Sequence, residues 1–326
     1  MHFTEKGGKN VMKVIYKLFT NQGNRENNED YVGERQCSEC SCFALADGLG
    51  GHGRGELASQ LVVKETLDMF HSTKDLGNFL QKAFSTSQEK LLKYQKKEKA
   101  ENEMKTTEVI LVIGENEIQW GHIGDSRLYY FKGNRLMKHT YDHSVPQMLV
   151  SSGEIKEKDI RHHPDRNRVL RVMGTQWTVP KYELAKKIKK KKNQSFLLCT
   201  DGFWELIDEK QMIQFLKEAV SPEEWISKME QKILENGENL NMDNFSAMDP
   251  INRRNRKMEK GLKFVVSTAT SIGNREEQQD KARVVQKESQ MIAVLCDGMG
   301  GSKGGGQASK IASRCFIYDL INIGLN

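Results

Sequence analysis

The sequence predicts an α+β fold, on two observations. Short apolar runs of strand length end at acidic residues: 43–46 before Asp47, 118–123 before Asp125 and 195–199 before Asp201. Between them lie longer stretches with amphipathic, helix-like character, at 56–70 and 75–98. The 326 residues suffice for a real core, and a hydrophobic share of 37% beside a charged share of 29% describes a soluble globular chain. No run approaches the ~18 apolar residues of a membrane span. Met1–Glu5 has no apolar segment behind a basic start, so a secretory signal is not expected and residues 1–10 read as a polar lead-in. The formal charge of +6 does not single out nucleic acid. The expectation is a cytoplasmic protein with neither a nucleic-acid nor a membrane partner.

Taken in order, 11–20 alternates loosely as an opening strand would, and 21–30 (NQGNRENNED) is a polar loop carrying Arg25, Glu29 and Asp30. Phe43–Ala46 then delivers Asp47-Gly48 to the rim of a sheet. Glycines at 50, 51, 53 and 55 come next, and their missing side chains leave room for an ion or a phosphate. Alone, this is equally a tight Asp-Gly turn between strand and helix. Further strands are expected at 106–113, 118–123, 128–131, 136–140 and 195–201. Helices are expected beginning near Asp142, and at about 208–220 and 222–235. Six lysines in 186–192 read as a solvated hairpin loop rather than a docking patch. Cys37, Cys40 and Cys42 lack a second pair at zinc-finger spacing, so reduced thiols are the expectation.

The chain also repeats itself at a fixed offset of 250. Gly23-Asn24-Arg25-Glu26 matches Gly273-Asn274-Arg275-Glu276, Asp30 matches Asp280, Asp47-Gly48 matches Asp297-Gly298, and Ala58-Ser59 matches Ala308-Ser309. The expected organisation is a full domain over 11–248, a charged linker over 249–262, and over 263–326 a second copy of the domain's opening third. That copy ends before any counterpart of Asp125, Asp201 or Asp243 and is expected to be catalytically silent alone.

The first unit offers Asp47, Asp125, Asp201 and Asp243 at strand ends or loops, with Glu29 in a polar loop. Clustered carboxylates repel unless protonated or neutralised, and an all-oxygen set suits Mn²⁺ or Mg²⁺ over zinc or copper. The Gly48 carbonyl would add an oxygen. Two such ions roughly 4 Å apart bridge a water, lower its pKa and aim it at phosphorus. Arg25 would clamp phosphate oxygens through its fork of donors.

These pieces resemble the metal-dependent serine/threonine protein phosphatases of type 2C, in their bacterial form. The resemblance rests on RENNED (25–30), ADGLGGHGRGELAS (46–59), IGDSRLYYFKGNRL (123–136), DHS (142–144), HPDRNRVLRVMG (163–174), LLCTDGFWELI (197–207) and MDN (242–244), in family order. It implies a four-layer α-β-β-α sandwich, two central antiparallel sheets with the metal site at one end. It also implies Asp47 bridging two ions, the Gly48 carbonyl as ligand, Asp201 and Asp243 completing the pair, and Glu29 holding a metal-bound water. Asp125 would bind a weaker third ion, and Arg25 the substrate phosphate. The implied reaction is hydrolysis of phosphoserine and phosphothreonine in proteins by a metal-bridging hydroxide, opposing a protein kinase.

Three departures stand out. Leu49 occupies the place where some members carry a histidine as general acid, and His52 belongs to the bacterial glycine pattern instead. Lys105 replaces a small residue before the paired threonines. Phe245–Met248 is a short closing strand running straight into Asp249-Pro250, which is expected to weaken the sheet edge and the seating of Asp243. Lys105, the short closing strand and the unfinished second unit motivate the alternative of a non-catalytic regulatory or binding module of the same fold.

Overall fold

A computed structural model describes residues 14–37, 39–49, 54–72, 76–101, 103–252, 281–287 and 290–296. The chain divides into two compact units, Met1–Arg254 and Asn255–Asn326. The greater part of the expected linker, the glycines at 50, 51 and 53, and the stretch 297–326 with its Asp297-Gly298 lie outside the described residues.

The strands of the first unit pair antiparallel into two sheets. One runs β1 (Leu18–Asn21), β12 (Phe245–Met248), β11 (Gln194–Cys199), β7 (Arg127–Lys132), β8 (Arg135–His139), with β13 (Ile251–Asn252) also on β11. The other runs β10 (Ile188–Lys189), β6 (Glu117–Ile123), β5 (Glu108–Ile113), β3 (Ser41–Leu49), β2 (Asp30–Gln36). Short β4 (Lys105–Thr106) joins β3, and β9 (Glu183–Leu184) joins β6.

Period-two alternation sets the layers. On β3, Cys42, Ala44 and Ala46 pack with α1 (Gly55–Ser72) and α2 (Phe79–Glu98), while Phe43 and Leu45 join a core with Phe196, Leu198, Trp120 and Tyr130 from both sheets. On β11, Leu197 and Cys199 face the opposite way, toward α5 (Glu209–Glu218) and α6 (Pro222–Gly237). The small residues of β3 lie under the helices and the aromatics lie between the sheets. The result is the expected four layers, helices, sheet, sheet, helices. Each fully buried Leu or Phe contributes about 1.5–3 kcal/mol. Helix starts are capped as their sequences suggest: Ser144 accepts from the Gln147 N–H at α3 (Val145–Ser152), Asp208 from Gln211 at α5, and Ser221 from Glu224 at α6.

The structure differs from the sequence reading in several places, among them β13 inside the expected linker over 249–262. First, the sequence does not announce β2; DYVGERQ has no clear alternation because its residues are half-buried on both faces. Second, β3 continues through Asp47-Gly48 to Leu49, so these residues form strand rather than turn, held by pairing to Asp30 and Thr106. Third, Phe245–Met248 is interior, paired to β1 on one side and β11 on the other with all four residues buried, so its shortness weakens no edge. Fourth, Lys105 pairs with Leu49 without disturbing Thr106 opposite Gly48. Finally, Cys37 and Cys40 are disulfide-bonded rather than reduced, since the β2–β3 turn sets their Cα atoms 5.3 Å apart, within bridging range. Within the lysine run, Ile188-Lys189 forms the edge strand β10, where lysines discourage edge-to-edge pairing.

In the second unit, β14 (Lys281–Lys287) and β15 (Gln290–Cys296) form an antiparallel hairpin.

Candidate metal centre

Arg25, Glu29, Asp47, Gly48, Asp125, Asp201 and Asp243 all line one open cleft of about 530 Å³, together with Asn167, Val169 and Asn244. Segments far apart in sequence supply it. Asp47 lies near the end of β3, its N–H donating to Thr107 Oγ1 at 2.9 Å and its carbonyl accepting from the Thr107 N–H. Asp201 opens the short helix α4 (Asp201–Trp204) and accepts from the Gly202 N–H at 2.6 Å. Asp125 lies just past the end of β6, its carbonyl accepting from Trp204 Nε1 at 3.0 Å.

The backbones are packed too closely for side chains at two glycines. A Cβ on Gly48 would stand 2.3 Å from the Gly55 backbone and 2.8 Å from the Glu29 carbonyl. A Cβ on Gly202 would stand 2.3 Å from the Asn244 carbonyl. Asn244 acts as the clasp of the 22–29 loop. Its Oδ1 accepts from the Glu29 N–H at 2.8 Å, and its Nδ2 donates to the Gln22 and Asn27 carbonyls at 2.7 and 3.0 Å. Ser59 Oγ donates to the Glu29 carbonyl at 2.6 Å. At the mouth, Arg25 Nη2 meets Asp243 Oδ2 at 2.7 Å.

Burial pushes the Asp47, Asp125 and Asp201 carboxyls above their ordinary range, and neighbouring acids push them further. Asp47 is raised first by burial and then by Asp30, Asp201, Asp125 and Asp243. Burial and then Asp201 and Asp142 raise Asp125. Asp201 is raised to about 6 by burial and Asp243. Asp30, buried beside them, is raised to about 8 although it accepts from Thr200 Oγ1 at 2.9 Å, and its other oxygen has no hydrogen-bond partner. Glu205, close behind Asp201, is raised to about 7 by burial and by that neighbour. So many acids do not ionise together without a compensating positive charge. Hard divalent cations fit this all-oxygen donor set.

Sequence reasoning placed all seven residues in one site but passed over Asp30, Asn244, Asn167 and Val169. Asp30 and Asn244 lie inside the RENNED and MDN motifs and could have been found there. Asn167 and Val169 reach the cleft only through the fold of the 163–174 loop.

The sequence profile of the Protein phosphatase 2C family matches residues 20–235. The chain belongs to that family. The serine/threonine phosphatase stp of Listeria monocytogenes (serotype 4b) is 29% identical over 200 residues, 59% of this chain and 79% of that protein. Among solved structures, the serine/threonine phosphatase Stp1 of Staphylococcus aureus superposes with a TM-score of 0.67 at 25% identity, over 76% of this chain and 99% of that one. The catalytic domain of the phosphatase PstP, solved in complex with two manganese ions, superposes with a TM-score of 0.63 at 26% identity, over 73% and 97%. No helix among the described residues is long and apolar enough to cross a membrane.

Proposed function

We propose that this type 2C phosphatase hydrolyses phosphoserine and phosphothreonine in proteins at the cleft between Asp47 and Asp243. The observation that carries the reading is the convergence of Asp47, Asp125, Asp201 and Asp243 on one cleft, with Arg25 at its mouth. Divalent cations, if bound there, would offset the carboxylate charge and supply a water of lowered pKa. Asp47, Asp201 and Asp243 would hold them with the Gly48 carbonyl, Asp125 would take a weaker third, and Glu29 would orient a water. Arg25 presents a planar fork of donors to the phosphate oxygens, positioning the ester for in-line displacement. Mn²⁺ and Mg²⁺ both suit such ligands, and the manganese of the related PstP structure favours trying Mn²⁺ first. A protein kinase acting on the same residues in the cytoplasm would be its counterpart. The departures that motivated a non-catalytic module lose their force, because Lys105 and the closing strand are accommodated in regular pairing.

The test is manganese-dependent hydrolysis of a phosphothreonine peptide, abolished in Asp47→Asn and in Asp201→Asn. Absence of activity from folded wild-type protein across a manganese titration overturns the reading, as does full activity in either variant.

The expected linker over 249–262 begins later than its sequence suggests, because Ile251–Asn252 pairs with β11 in the first unit. For the second unit we infer a copy of the domain's opening third, over 263–326. Its hairpin supports this, because every pair from Lys281↔Cys296 to Gln286↔Met291 lies 250 positions after a pair of β2–β3, from Tyr31↔Ala46 to Gln36↔Ser41.

A further inference from the structure

Beside the cleft, His122, His143 and Glu183 bring three ligand-type atoms within 4.8 Å of one another. As it stands, this cluster is not built as a cation site. The two imidazoles stack at 4.7 Å with 14° between their planes, so in-plane lone pairs run nearly parallel and do not converge on one ion. His143 Nδ1 is moreover already an acceptor, for the Gly124 N–H at 3.1 Å. An imidazole that accepts at Nδ1 carries its proton on Nε2 when neutral. Here Nε2 is buried, has no hydrogen-bond partner in line, and stands 3.2 Å from Glu183 Oε1.

His143 grips Gly124 twice. Its own N–H donates to the Gly124 carbonyl at 2.9 Å, while its ring accepts from the Gly124 N–H. Gly124 sits at φ +103°, a left-handed conformation, and a Cβ there would meet Thr107 at 2.5 Å. The turn that aims Asp125 into the cleft is therefore a shape open to glycine alone, closed by the backbone and the ring of one residue. The same histidine's carbonyl accepts from the Leu170 N–H at 2.6 Å, and Glu183 also meets Arg171 Nη1 at 3.3 Å. His143 thus joins the Asp125 turn to the 163–174 loop, whose Asn167 and Val169 line the cleft.

We infer that His143 is a positioning residue for the metal centre: through Gly124 it fixes where the Asp125 carboxylate stands, and so sets the affinity of the weaker cation step. This rests on the reading of Asp125 as a ligand. The active feature is the Nδ1 acceptor rather than the contact with Glu183. Asparagine places its oxygen near the Nδ1 position and keeps the grip, whereas glutamine reaches the Nε2 position and loses it.

The test is calorimetric titration of the full chain with Mn²⁺ alone, comparing wild type, Asp125→Ala, His143→Asn, His143→Gln and His143→Gln in the Asp125→Ala background. Asp125→Ala is expected to remove the weakest binding step. His143→Gln is expected to weaken that step by roughly tenfold or more, in the range of partners that orient metal ligands. His143→Asn stays within roughly threefold of wild type, and the double variant matches Asp125→Ala. Thermal melts in chelator accompany each variant, and a variant that does not melt cooperatively is replaced by Glu183→Gln, expected to bind as wild type. Equal affinities in the Asn and Gln variants overturn the role of His143 while leaving Asp125 in place. Unchanged binding in Asp125→Ala overturns both.

Discussion

Two arginine–aspartate pairs in this phosphatase have the same 2.7 Å contact and very different surroundings. Arg127 and Asp142 are buried, with side chains 4% and 2% exposed, and they meet through two parallel bonds at 2.8 and 2.7 Å. The guanidinium also donates to Tyr129 Oη at 3.0 Å and lies 3.5 Å over the Trp204 ring, whose Nε1 holds the Asp125 carbonyl. Arg25 and Asp243 sit at the cleft mouth with side chains 46% and 41% exposed and share one hydrogen bond. Exposed pairs contribute only about 0–1 kcal/mol. Breaking a buried pair leaves an uncompensated charge and costs about 3–5 kcal/mol. The difference separates a scaffold from a tool. An arginine in the phosphate-receiving role proposed for Arg25 has to exchange partners at low cost, and one that holds the site's frame must not.

The largest expected effect in this comparison is that of Asp142→Ala. It should destabilise the metal-free protein by about 3–5 kcal/mol in urea denaturation, with activity falling in parallel. A loss below about 1 kcal/mol, the scale of an exposed pair, would mean that stacking on Trp204, not the ion pair, holds Arg127.

A pH series separates buried charge from paired charge. Glu108 is fully buried, accepts from Thr66 Oγ1 at 2.7 Å, leaves its other oxygen without a partner, and is raised to about 8 by burial. Because its folded pKa is raised, its contribution to stability is intact below the ordinary carboxyl range. It is lost progressively as pH climbs from about 4 to about 8. Glu108→Gln is therefore expected to raise the melting temperature at pH 8 and leave it unchanged at pH 4, with hydrolysis as in wild type. Equal shifts at both pH values would contradict the assignment.

Arg25→Ala should shift stability by no more than about 1 kcal/mol while raising KM for a phosphopeptide. A large stability loss would place Arg25 with the scaffold. The smallest effect is expected on removing residues 261–326, after which phosphopeptide hydrolysis per mole should remain within about twofold, measured beside solubility. A severalfold change in turnover would give the second unit a part in the reaction.

The legibility of each element in the sequence depended on what fixes that element in space. Asp47, Asp125 and Asp201 were legible because short apolar runs end at them, and a buried strand leaves little freedom in where its last residue goes. The closing strand was misjudged because length was the visible property, while its place between β1 and β11 was set by pairings with segments far away in the chain. Strand β2 lacked an apolar rhythm because its side chains are half-buried on both faces of the sheet, so neither face selects apolar residues alone. Asn244 and His143 act by gripping backbone elsewhere in the chain, so the sequence around them, although it lies in motifs, does not say which carbonyl or N–H each one binds.

The Asn244 clasp bears on when the enzyme can begin to work during its own synthesis. The loop bearing Arg25 and Glu29 leaves the ribosome early, but the amide that closes it is more than two hundred residues downstream. Domains are completed as units while the chain emerges. Until β12 has emerged and paired, the loop bearing Arg25 lacks the Asn244 clasp and the cleft lacks Asp243. The cleft is therefore completed only with β12, although Asp47, Asp125 and Asp201 all precede it in the chain.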